Sequence, residues 1–187
     1  MDIKTAICQR RTIRRFQNRP VDPEQLRTLA DLSRLYASGG NLQPIRYVGV
    51  TDPVLLDKIF DTLRWAAYLP GFVIREDQRP MAYMMLTCAE GKKKSCQFDL
   101  GAAATTLMLA AEDMGLATCC LASFDAAAVK SILTLPDGME AALVIALGYP
   151  DQKSQEVPLV DDVKYYEAAD GTLCVPKRKL EDILTLL

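Results

Sequence analysis

The sequence predicts an α+β fold, a central mixed or antiparallel sheet flanked by helices, and three features predict it. Residues 81–88, 116–122 and 141–147 are short, continuous apolar runs, as expected of strands buried on both faces. Residues 98–115, rich in alanine and leucine, read as a long helix that is apolar nearly all round. Near the C-terminus, Asp170-Gly171 separates two strand-like segments, 163–168 and 172–175, which predicts a hairpin. No internal repeat or long linker divides the chain, so residues 1–187 are expected to form one domain.

The remaining elements follow in order. Residues 2–9 read as a short helix. Asp22-Pro23-Glu24-Gln25 combines an N-cap, a first-turn proline and a glutamine three residues after the cap, opening a helix to about residue 36. A small-residue loop at 37–44 leads into a strand at 46–51. Asp52-Pro53 starts a helix expected to run to about residue 68, where Leu69-Pro70-Gly71 stops it. A loop at 72–80 precedes the first apolar strand, and the three lysines at 92–94 mark an exposed connection after it. Asp125 can cap a helix over 126–133. The hairpin delivers Lys177-Arg178-Lys179 to a final helix over 180–187.

Composition narrows the function. Lys and Arg number 22 against 24 Asp and Glu, so the net charge is −2 and a general nucleic-acid role is not expected. Basic residues nevertheless cluster at 10–19, 92–94 and 177–179, the pattern of a protein with a discrete anionic ligand. No window approaches 18 uncharged apolar residues, and no leader is recognisable, so neither a membrane role nor export is expected. Six cysteines without a CxxC read as reduced, mostly buried thiols of a cytoplasmic protein. For the adjacent Cys119-Cys120, buried packing outweighs a strained redox pair. The chain has no histidine, which removes His-dependent triads and HExxH zinc chemistry; no metal is expected, and any catalysis must come from a cofactor or other side chains. A GxGxxG fingerprint is absent, which disfavours a Rossmann dinucleotide fold.

The most suggestive stretch is Arg10-Arg11-Thr12-Ile13-Arg14-Arg15-Phe16, with four arginines in six residues. Guanidinium forks donate paired, charge-assisted hydrogen bonds that suit phosphate, and Thr12 can add a hydroxyl. A solvated basic turn is the competing reading for such a cluster taken alone.

With these pieces placed, the chain resembles the nitroreductase family of FMN-dependent oxidoreductases over nearly its full length. The arginine stretch is similar to the family's N-terminal signature, and Ala37-Ser38-Gly39-Gly40-Asn41-Leu42-Gln43-Pro44 to its Pro-Ser-x-x-Asn-x-Gln-Pro loop. Asp99-Leu100-Gly101, Ser123-Phe124-Asp125, Ala146-Leu147-Gly148-Tyr149-Pro150 and Lys177-Arg178-Lys179-Leu180 follow in family order. The resemblance implies an intertwined homodimer with FMN at the interface. Arg10, Arg11, Thr12 and Arg14 are then expected at the FMN phosphate, ribityl chain and pyrimidine edge. Ser38, Asn41 and Gln43 would come from the partner chain. Cys120, Leu121, Ala122 and Ser123 would line the dimethylbenzene-to-N5 side. Lys177, Arg178 and Lys179 would return to the phosphate, Arg178 being the first choice, or the tail would pack on the partner.

Implied chemistry is hydride transfer from NADH or NADPH through flavin N5, in ping-pong fashion, to a nitroaromatic, quinone or related small acceptor. In that chemistry Arg14 would stabilise charge at N1/O2, Ser123 would lie near N5, and Phe124 could stack on substrate. Two alternatives stay open: a dehalogenase or enoyl-type reductase of the same fold, and a non-catalytic protein that binds FMN for sensing. Departures from the pattern fall at Ala37, Ile45, Cys120 and Ala122, and the 65–80 region is short for a substrate-covering lid.

Overall fold

The computed structural model describes residues 1–187. Four antiparallel strands form the central sheet: β1 Arg46–Val50, β2 Ala82–Ala89, β3 Ala117–Leu121 and β4 Met139–Gly148, in the order β1-β2-β4-β3. The three apolar runs are β2, β3 and β4, as expected. A β-bulge between Leu86 and Thr87 shifts the β2–β4 register. A smaller sheet, β5-β7-β6, is built from β5 Ser154–Pro158, β6 Tyr166–Glu167 and β7 Leu173–Lys177.

Aspartates start the helices. Asp2, Asp22, Asp52 and Asp125 accept backbone N–H groups at the first turns of α1 Ile3–Gln9, α2 Pro23–Ser33, α3 Pro53–Phe60 and α5 Ala126–Ile132. Each such cap stabilises its helix by about 1 kcal/mol. On one face of the sheet, Leu26 and Leu29 of α2, with Leu100, Ala103 and Leu107 of α4 Gln97–Asp113, pack on Met84, Leu86, Ile145 and Leu147. On the other face Leu56, Ile59, Val129, Ile13 and Phe16 meet Tyr83, Met85, Val144 and Ala146. Phe16 is fully buried, and a Cβ at Gly148 would lie 2.9 Å from its ring. Glycine there lets the arginine stretch lie flat on the end of β4.

Four expectations are corrected. α3 ends at Phe60, not near 68, because Thr62 donates to the Ile59 carbonyl and Leu63 forms a bridge with Phe124. α2 ends at Ser33 rather than 36. The final helix over 180–187 is a single 3-10 turn, Leu180–Asp182, because Ile183, Leu184, Leu186 and Leu187 have nothing in this chain to pack against. The C-terminal hairpin forms around Asp170-Gly171, with Gly171 at φ 80°, but its first strand has only two residues and β7 also pairs in parallel with the unforeseen β5.

Candidate active site

Residues 12–16 run extended along the edge of the central sheet. Thr12 bridges Thr118 of β3, the Ile13 amide donates to the Thr118 carbonyl at 3.0 Å, and the Phe16 amide donates to Gln78 O at 2.9 Å. The backbone is therefore fixed before any side chain acts.

The four arginines part company. Arg11 donates to Glu156 on β5 at 3.0 Å and to the Arg10 carbonyl at 2.7 Å. Arg15 pairs with Glu167 on β6 at 3.1 Å. Arg14 has no carboxylate partner; its Cζ lies 4.5 Å from the Tyr165 ring centroid. Arg10 makes no side-chain hydrogen bond or ion pair, and its charge acts on the Cys120 thiol and on Glu112. Burial raises the Glu112 carboxyl above its ordinary value, and Arg10 and Arg11 pull it back. The Thr12 hydroxyl is free.

Around this stretch several buried polar atoms lack a partner: Nε and Nη1 of Arg14, Oγ1 of Thr118, Nε2 of Gln152 and Oγ of Ser154. Buried polar atoms are almost always paired, so such a concentration beside free Arg10 is what an acceptor-rich anionic ligand satisfies. A cleft of ≈ 220 Å³ lies between Gln9, Arg11, Ile13, Glu112, Gln152 and Ser154, the last two of which carry such atoms. The chemistry of these donors fits the phosphate, ribityl and pyrimidine groups of FMN.

β3 carries the next set. Neighbouring strand residues face opposite ways, so Cys119 is buried and Cys120 exposed; both are free thiols and no Cys119–Cys120 bridge forms. Burial pushes Cys119 up to about 12, despite the opposing Arg14 charge. Leu121 is buried, while Ala122 and Ser123 are exposed. Ser123 O accepts from Arg64 N at 3.1 Å, tying the strand exit to the segment after α3. Phe124 is half-buried, with Lys93 Nζ 5.3 Å from its ring centroid. One of the three expected solvated lysines is thus partly covered and lies over Phe124.

The 38–43 loop is held by bonds within itself and by one to α4. Ser38 Oγ donates to Asp99 Oδ1 at 2.6 Å, Gln43 N to Ser38 Oγ at 2.9 Å, and Gln43 Nε2 to Asn41 Oδ1 at 2.9 Å. This loop precedes β1, at the sheet edge opposite β3. Three strand spacings, about 14 Å, separate those edges. One chain therefore does not bring Ser38, Asn41 and Gln43 to its own arginines. Lys177, Arg178 and Lys179 are free of ion pairs at and beyond the end of β7. The strand pairs with β5, whose Glu156 holds Arg11, which places β7 one strand away from that contact.

Gln152, Glu156, Tyr165 and Glu167 were not foreseen. Nothing in their local pattern announces them; only the fold of the C-terminal module brings them to the arginines.

The model of the nitroreductase family matches residues 7–68 and 78–149. The chain belongs to the nitroreductase family. Membership makes it an oxidoreductase. A Thermus thermophilus protein named NADH dehydrogenase is 28% identical, the match covering 85% of this chain and 93% of that protein. A solved structure from Parabacteroides distasonis, described as a candidate NADH dehydrogenase/NAD(P)H nitroreductase, is 27% identical with a TM-score of 0.68, covering 89% of this chain and 97% of the other. An FMN- and NADPH-dependent nitroreductase from sphigopyxis sp. strain HMH superposes with a TM-score of 0.72 over 100% of this chain and 99% of its own; at 19% identity the likeness is one of fold. The family match breaks at residues 69–77, inside the short 65–80 region, and ends at 149, before β5, β6 and β7.

Proposed function

We propose that the protein is an FMN-dependent NAD(P)H oxidoreductase. It binds FMN between two copies of the chain and passes hydride from NADH or NADPH to a nitroaromatic, quinone or related small acceptor. The observation that carries this reading is the set of buried, partnerless donors around Arg14, beside the uncommitted Arg10. The names of the Thermus, Parabacteroides and sphigopyxis proteins support the reductant and the flavin.

In this reading Arg10, Thr12 and the free cations Lys177, Arg178 and Lys179 bind the phosphate. Arg11 joins them only by leaving Glu156. Arg14 holds positive charge at the pyrimidine edge, a preorganised donor of a kind whose removal costs about 3 kcal/mol of barrier. Ser38, Asn41 and Gln43 of one copy serve the flavin of the other. Cys120, Leu121, Ala122 and Ser123 line the N5 side through backbone groups, and Phe124 faces the acceptor. Bound FMN supplies the hydride transfer itself, so no histidine is required.

The decisive experiment is the visible spectrum of the purified protein before and after anaerobic NADH or NADPH. Flavin bands that bleach support the reductase. Flavin bands that persist with both reductants point instead to a protein that holds FMN without turnover. No flavin uptake, even with added FMN, overturns the reading. Arg10→Ala is expected to weaken FMN binding about tenfold or more in a fluorescence titration, as for loss of a hydrogen bond to a charged group. An unchanged dissociation constant removes Arg10 from the site.

A further inference from the structure

We propose that Tyr165 is a positioning residue for Arg14: it grips the guanidinium by its flat face and leaves the charge and the in-plane donors free for the flavin. This rests on the FMN reading above, and it involves a residue beyond the family match, which ends at 149.

The four arginines make the case by contrast. Glu156 and Glu167 hold Arg11 and Arg15, and each carboxylate cancels the charge it fixes. Arg14 is fixed by a neutral ring instead, 4.5 Å from its Cζ. A stacked guanidinium presents its π face to the aromatic and keeps its N–H groups pointing outward in the plane. Nε and Nη1 have no hydrogen-bond partner in the protein. The Arg14 backbone is separately pinned, its amide donating to Gln152 Oε1 at 3.0 Å. The Tyr165 hydroxyl makes no hydrogen bond, so the ring carries the contact.

Tyr165 is in turn backed by Tyr68, the two ring centroids 5.1 Å apart and tilted by 53°. Tyr68 lies in the short lid segment, and nearby Phe72 lies under Arg15, 4.6 Å from its Cζ. Two arginine–aromatic contacts therefore tie the lid and the C-terminal module to the arginine stretch. The lid's Tyr68, through Tyr165, sets where the Arg14 charge stands.

The test uses the full-length protein with Tyr165→Leu, Tyr165→Phe, Tyr68→Ala and Arg14→Ala. FMN affinity is read by fluorescence titration of the apo forms, and the two-electron midpoint potential is read on the loaded forms. Tyr165→Leu is expected to weaken FMN about five- to tenfold, the scale of a partly buried cation–π contact. It should also move the potential in the same negative direction as Arg14→Ala, because misplaced positive charge favours the oxidised cofactor. Tyr165→Phe should match the wild type in both readouts. Tyr68→Ala should give a smaller shift of the same sign. Adding Tyr165→Leu to Arg14→Ala should change little more, since the two residues act as one unit.

If Tyr165→Leu leaves both readouts at wild-type values, the proposal is wrong. Equal losses in Tyr165→Phe and Tyr165→Leu overturn it too, since the hydroxyl would then matter. Should Tyr165→Leu fail to fold, an unshifted potential in Tyr68→Ala has the same force. Wild-type protein that takes up no FMN overturns the FMN reading, and this proposal with it; wild-type protein that binds FMN, with indistinguishable variants, overturns this proposal alone.

Discussion

Cys119 and Cys120 illustrate how far a single residue's setting departs from its sequence neighbour's. The strand turns one thiol into the core beside Tyr83 and Val144, and the other outward toward Arg10. At pH 8, a thiol reagent is expected to label the exposed Cys8 and Cys120 in the native protein and to spare Cys119, with mass mapping as the check. The same burial gives a pH dependence. The folded state keeps Cys119 protonated up to about 12, whereas the unfolded chain begins to lose that proton near 9. Between those values the native state binds more protons, so stability from this residue is intact below pH 9 and falls as pH rises toward 12. Thermal midpoints measured from pH 8 to 10.5 should therefore decline less steeply in Cys119→Ala than in the wild type. Equal slopes would show that this thiol is not the source of the decline.

At the scale of elements, β2 is the strand around which the sheet is built, and it carries a hydroxyl with no partner. Tyr83 is fully buried, its oxygen is unbonded, and burial pushes its ionisation far above the ordinary range. Tyr83→Phe keeps the ring packing and removes the unsatisfied group, so it is expected to stabilise the protein by about 1 kcal/mol. In a chain of this size that is a rise of about 2–4 °C in the unfolding midpoint, readable by calorimetry. β2 was also among the most legible elements, because an apolar run flanked by polar turns has few other uses. The aspartate-capped helix starts were equally plain. α3's end was not, since its stop depends on Leu63 meeting Phe124 from a distant part of the chain. β5 is polar, Ser154-Gln155-Glu156, and offers no alternation to read. The candidate site divides the same way. Arg10, Thr12, Arg14, Ser38 and Asn41 stand out as motif residues. That Arg11 and Arg15 are claimed by Glu156 and Glu167, 145 and 152 positions away, follows only from the folded module.

Two of the apolar surfaces that the molecule leaves uncovered bear on association. One is the outer face of α4, where Phe98 is 71% exposed beside Gly101, Ala102 and Leu109. The other is the tail, where Leu180, Ile183, Leu184 and Leu187 fall at helical spacing, yet only one turn forms. Apolar groups grouped this way mark association surfaces, and a tail helix gains its stability from packing rather than propensity. The proposed site points the same way, because the two sets of residues assigned to it lie at opposite edges of one sheet. In the proposed reading a second copy would meet both needs, covering α4 and supplying Ser38 and Asn41 to the arginines. Sedimentation equilibrium is expected to give twice the chain mass of 20.7 kDa. Phe98→Glu puts a carboxylate on the apolar face and should yield monomers that keep their helical and sheet signals but lose bound FMN, although the arginine stretch is untouched. Monomers that still hold FMN tightly would mean that one chain suffices and that the 38–43 loop has no part in the site. A dimer that persists in Phe98→Glu would move the interface off α4.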